Sequence, residues 1–197
     1  VVLQGKESVV LGDIPNSFRM PGSDTSLRIY GYVEANAIHD MKGTAQGDFG
    51  TVMAAQPLNS SNPRQGGDTF NAGNTRFGFE TSTPTSKGPL HTVVEGHFYN
   101  SGNGASNFRL RHAYGEYAGW LVGQTWSTFM DGDNTPETVD FNGPVGTPFN
   151  RNLMVRYTYD MPSVVKLTAA IEGAEFNGST VPSNNTDLIS QSPRLVL

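Results

Sequence analysis

Apolar and polar side chains alternate with a period of two along several short stretches of the chain. Between Thr75 and Thr81, Phe77 and Phe79 fall on one face of an extended segment, and Arg76, Gly78 and Glu80 fall on the other. Between Asn152 and Asp160, Leu153, Val155, Tyr157 and Tyr159 oppose Asn152, Met154, Arg156, Thr158 and Asp160. Successive side chains of a strand point to opposite faces, so each stretch reads as a strand with one greasy and one charged face. Soluble sandwiches also alternate, but they rarely set Arg, Glu and Gly against a row of aromatics. A transmembrane β-barrel with a wet lumen requires that arrangement.

The same reading predicts strands over residues 27–36, 75–83, 90–99, 108–118, 120–127, 152–160 and 164–174. An eighth begins at 194–197. In the first, Arg28, Tyr30, Tyr32, Glu34 and Asn36 share a face. In the fourth, strict alternation puts Arg109 and Arg111 opposite Phe108, Leu110, His112 and Tyr114, and leaves Glu116 on the face away from the arginines. The connections alternate in length. Long stretches lie at about 40–74, 128–151 and beyond 174, a medium one at 100–107, and short turns at Pro84–Pro89, Gly119 and Met161–Ser163. Outer-membrane barrels alternate in this way, with short turns at one rim and longer loops at the other.

Composition agrees. Only 36% of the 197 residues are hydrophobic, with 23 Gly and 12 Pro, which is poor material for a packed interior. It suits a sheet whose faces meet water and lipid. No apolar run approaches the ~18–20 residues of a membrane helix. The net charge of −5 argues against a basic nucleic-acid binder. The absence of Cys suits a cell-envelope protein. Val1 to Leu11 carries neither a basic region nor a cleavage site, so a mature or trimmed exported chain is expected. The sequence holds no GxSxG, P-loop, HExxH or dinucleotide fingerprint, and an enzyme is not expected.

The blocks GDIPNSFRMPGSDTSLRIYGYVEAN (Gly12 to Asn36), TRFGFETSTPTSKGPLHTVVEGHF (Thr75 to Phe98), FRLRHAYGEYAGWLVGQTWSTFMD (Phe108 to Asp131) and PETVDFNGPVG (Pro136 to Gly146) resemble the DcaP-like outer-membrane porins. The loop after Asp40 and the tail after Glu175 match least. The resemblance implies an all-β, antiparallel transmembrane barrel. It would have sixteen strands in the full protein, here as an open N-terminal half of about seven to eight. It also implies a homotrimer in the outer membrane of a Gram-negative bacterium, amid lipid and lipopolysaccharide, passing small anionic, dicarboxylate-like solutes without a cofactor. On this reading residues 1–26 are a lead-in and residues 27–197 a partial barrel. In porins the loop after the fifth strand folds into the lumen, which here is about 128–151.

Arg28, Arg76, Arg109, Arg111 and Arg156 are the candidate pore-lining residues, a cationic wall that would concentrate anions. The competing reading makes them structural partners of Glu34, Glu80, Glu95 and Glu116. Asp131, Asp133, Glu137 and Asp140 are the candidate acids of the constriction loop, facing the arginines across the pore. DGDNTPE begins like a calcium loop, but Pro136 stands where an EF-hand needs Gly. His39, His91, His97 and His112 show no metal-ligand spacing, so no metal is expected. Tyr117 and Trp120 flank a tight turn, where an interfacial aromatic girdle belongs. The alternative function is a soluble secreted all-β glycan-binding module, which would not need aromatics clustered at strand ends.

Overall fold

A computed structural model describes residues 10–41, 67–100, 106–130, 150–161, 165–173 and 194–196. Among the described residues every regular element is a strand. They are β1 (Phe18–Arg19), β2 (Ser26–Tyr32), β3 (Asn36–Asp40), β4 (Gly67–Asn71), β5 (Arg76–Thr83), β6 (Leu90–Asn100), β7 (Ser106–Tyr117), β8 (Trp120–Trp126), β9 (Arg151–Met161), β10 (Val165–Glu172) and β11 (Arg194–Val196). Nine of them form one antiparallel sheet in the order β1-β2-β5-β6-β7-β8-β9-β10-β11, and β3 pairs with β4 in a separate ribbon. Apart from the β2–β5 pair, neighbours in the sheet are neighbours in sequence, the up-and-down topology of a barrel wall. β1 and β11 are its two edges, so the sheet is open, as expected of part of a barrel. Closure removes edges that lipid would not tolerate. The 11 residues of β6 and of β9 and the 12 of β7 match the length a tilted strand needs to cross a bilayer.

Burial along β9 follows the alternation. Leu153 is 69% exposed and its neighbour Met154 is 2% exposed. The pattern is inverted relative to a water-soluble fold. Ile29, Phe79, Val94, Val122, Val155, Leu167 and Ile171 are exposed, whereas Ser26, Glu95, His97, Arg111, Asn152 and Glu172 are buried. In water this would expose a large apolar surface for no return. Against lipid the exposed face is the stabilising one. Aromatics gather on it at both ends. Trp120 stacks on Tyr157 at the short-turn end, with centroids 4.8 Å apart. Near the long-connection end, Phe77, Phe98 and Phe108 cluster with centroids 5.5–6.2 Å apart.

The turn joining β7 to β8 has positive φ at both central residues, 49° at Ala118 and 86° at Gly119. Such turns match the right-handed twist of the strands they join. A Cβ on Gly119 would sit 2.9 Å from the Thr158 carbonyl oxygen, and the Gly119 carbonyl accepts the Thr158 N–H at 2.9 Å. Glycine is required there twice over.

Three features depart from the sequence expectation. The β6–β7 ladder pairs Glu95 with His112 and Gly96 with Leu110, leaving Arg111 as one extra residue. This bulge resets the alternation. His112, Tyr114 and Glu116 therefore share the inner face with Arg109, because each lies opposite an inner-face residue of β6. Second, the first long strand ends at Tyr32 rather than Asn36, and the connection after it contains the β3–β4 ribbon with Asn36 opposite Asn71. Third, the described lead-in is not wholly irregular. The chain turns so that Phe18 and Arg19 pair with Leu27 and Ser26, adding β1 at the edge.

Candidate functional site

Two ion-paired clusters lie at different heights on the inner face of the described residues. The first lies at the long-connection end, where β2 and β6 finish and β5, β7 and β9 begin. Its centre is Glu95. Tyr30 Oη donates to Glu95 Oε2 at 3.1 Å, Arg111 Nε donates to Oε1 at 3.2 Å, and Arg76 Nη1 lies 3.4 Å from Oε1. The register explains the convergence, since Glu95 stands opposite Gly78 on β5, whose missing side chain leaves room for the Tyr30 ring. A Cβ at Gly78 would lie 2.6 Å from that ring. Arg111 Nη1 also donates to His97 Nδ1 at 3.2 Å. A guanidinium has no acceptor, so that nitrogen carries a lone pair.

More cationic groups surround this centre. Arg109 stands opposite His97 across β6 and β7. The Arg151 guanidinium lies 3.9 Å from the centre of the Trp126 ring, and that of Arg111 lies 5.8 Å from the same centre. His112 packs edge-on against Trp126 at 5.3 Å and bonds Thr125 Oγ1 at 3.0 Å. Arg76, Arg109 and Arg111 are all close enough to act electrostatically on Arg151. Arg76 stacks over Tyr32 at 5.3 Å.

The second cluster lies at the short-turn end. Arg28 pairs with Glu80, His91 Nε2 lies 2.6 Å from Glu80 Oε1, and His91 Nδ1 lies 3.7 Å from Glu116 Oε2. Here Glu80 holds one guanidinium and one imidazole, and the imidazole also faces Glu116.

All five sequence-predicted arginines face inward, but the structure divides them. Arg76, Arg109 and Arg111 come together. Arg28 is held in the second cluster with Glu80. Arg156 stands apart on β9, opposite Leu121 and Ala170, and no carboxylate of the described residues reaches it within ion-pair distance. Asp131, Asp133, Glu137 and Asp140 lie outside the described residues. Sequence reasoning missed Arg151, Trp126 and His97. By parity Arg151 shares the phase of Leu153 and would face lipid. No signal in the sequence marks it, because only the β8–β9 register sets it opposite Trp126, an aromatic able to hold a cation. Among the described residues no group of His and carboxylates is arranged to hold a metal ion.

A wall with one charged, buried face and one apolar, exposed face, girdled by aromatics at both ends, defines a transmembrane β-barrel of the porin class. The family model described as DcaP outer membrane protein matches residues 13–192, and the chain belongs to that family of the outer membrane. Among solved structures, the crystal structure of the outer membrane channel DcaP of Acinetobacter baumannii is similar, with a TM-score of 0.70 and 28% sequence identity. The match covers 88% of this chain and 46% of that one, so the chain spans about half the length of that channel. Among curated proteins nothing matches. Membership of an outer-membrane family leaves no place for the soluble glycan-binding alternative.

Proposed function

We propose that this chain forms part of the wall of a passive diffusion channel for small anionic solutes of the dicarboxylate class, assembled as a trimer. The observation that carries the reading is the convergence of Arg76, Arg109, Arg111 and Arg151 near one height of the inner face. In a water-filled pore walled by lipid, field lines are confined to the lumen, so clustered charge raises the local concentration of counter-ions. Paired guanidinium groups present fork-like donors that suit carboxylates. Glu95 and the aromatic rings of Tyr32 and Trp126 hold the cations in place, and Arg109 remains exposed to the lumen. The solute passes down its gradient, and no cofactor takes part. The β8–β9 connection, with its four acids, narrows the lumen on this reading.

The test is the double variant R109Q/R111Q in the full-length channel reconstituted in planar bilayers. The zero-current potential in a salt gradient should shift toward cation preference. Dicarboxylate uptake should slow more than uptake of a neutral solute of similar size. An unchanged potential would sink the anion reading.

A further inference from the structure

Glu172, at the end of β10, is 3% exposed and has no cationic partner among the described residues. A carboxylate in that position needs several donors to offset its lost hydration. It has three. Ser127 Oγ donates to Oε2 at 2.7 Å, Asn152 Nδ2 to Oε2 at 3.0 Å, and the Thr128 backbone N–H to Oε1 at 2.7 Å. All three come from the ends of one connection. Ser127 and Thr128 leave β8, and Asn152 enters β9. The two ends are also tied to each other, because Ser127 N–H donates to the Asn150 carbonyl at 2.9 Å.

The topology makes this unusual. β8 and β10 are not neighbours, since β9 runs between them. Ser127 still pairs with Asn150 beside β9, so it is the Glu172 side chain, on the inner face in register with Met154, that reaches across β9 to the chain leaving β8. Ser127 Oγ then accepts the Phe129 N–H at 3.3 Å, and the Met130 N–H bonds the Ser127 carbonyl at 2.9 Å, which turns the chain at once. The carboxylate is thus a clasp that fixes the direction in which the connection sets out.

We propose that Glu172 is a positioning residue that holds the root of the β8–β9 connection over the lumen, and so sets the channel's size limit without touching the solute. The inference rests on the reading that this connection narrows the pore. The site suits an acceptor-only group, because three donors point at it. Gln keeps the shape but must turn its NH2 toward one of those donors.

The experiment compares E172Q with wild type in the full-length channel, with S127A as the milder variant should E172Q fail to fold. Two measurements are made. The first is hydrogen exchange of the Thr128 amide, which should quicken by roughly tenfold or more, the effect of losing a charge-assisted hydrogen bond. The second is liposome swelling with neutral sugars of rising size, which should show a changed size limit while the zero-current potential stays near wild type. Slow exchange at Thr128 in the folded variant would overturn the clasp. Faster exchange with an unchanged size limit would overturn the positioning role. A wild-type channel without anion preference would instead count against the proposed function and leave the exchange result standing.

Discussion

Glu80 and Glu95 sit in surroundings built from the same parts. Their side chains are 12% and 11% exposed, so burial does not separate them. Each binds an arginine from a neighbouring strand, and each of those arginines stacks over a tyrosine of β2, Arg28 over Tyr30 at 5.2 Å and Arg76 over Tyr32 at 5.3 Å. They differ in what β7 contributes. Near Glu80 the charged inner-face residue of β7 is Glu116, reached through His91, so negative charge is in excess. Beside Glu95 it is Arg111, with Arg109 at the next inner position, so positive charge gathers. Arg111 is the extra residue of the bulge. A single inserted position therefore gives the two ends of one wall opposite electrostatic character.

The largest effect expected from breaking this comparison is on stability. Glu95→Ala leaves Arg76 and Arg111 without their carboxylate, and Arg111 is 8% exposed with little access to water. Removing one partner of a buried ion pair costs about 3–5 kcal/mol. At Glu80 the partner Arg28 has a side chain 34% exposed and can turn to water. Glu80→Ala should cost only about 1–2 kcal/mol. Urea unfolding of the refolded full-length barrels should rank the two variants in that order. Equal losses would mean that the clusters do not differ in how their cations are held.

A second, smaller effect concerns selectivity. Glu95→Gln and Glu80→Gln each remove one negative charge and keep the side-chain shape. If the narrow section lies at the long-connection end, Glu95→Gln should strengthen anion preference clearly and Glu80→Gln only slightly. Zero-current potentials in a salt gradient compare them directly. The reverse ranking would place the selective section near Glu80.

Much of this comparison could be read from the chain, and some of it could not. The faces of β5 and β9 were legible because a period of two leaves Phe77, Phe79, Leu153 and Val155 no choice of side. That Arg28, Arg76, Arg109, Arg111 and Arg156 point inward was legible for the same reason. Their different roles were not, since pairing depends on the register between strands, which alternation within a strand does not contain. The bulge at Arg111 was invisible too, and it misassigned His112, Tyr114 and Glu116. β4 was missed because GDTFN has almost no apolar alternation. The β3–β4 ribbon leans on side chains near its base, where Asn36 and Asn74 both donate to Glu34, at 2.8 and 3.1 Å. Glu172 gave no signal, as a lone acid at a strand end reads as solvated.

The smallest expected effect belongs to Arg156, and it sharpens the comparison most. Arg156 and Arg151 both lie on β9, five residues apart. At ~3.4 Å per residue that is roughly 17 Å along the strand. In about 0.15 M salt the Debye length is ~8 Å, so a charge at that distance is largely screened from the cluster around Glu95. Its neighbours across the ladders, Leu121 and Ala170, are apolar, so Arg156→Gln strands no partner and should leave the unfolding midpoint near wild type. The zero-current potential should move toward cation preference by much less than in R109Q/R111Q, with a modest fall in anion conductance. A shift as large as that of the double variant would show selectivity to be spread along the whole arginine ladder. The contrast between the two ends of the wall would then describe how the charges are held rather than where solutes are chosen.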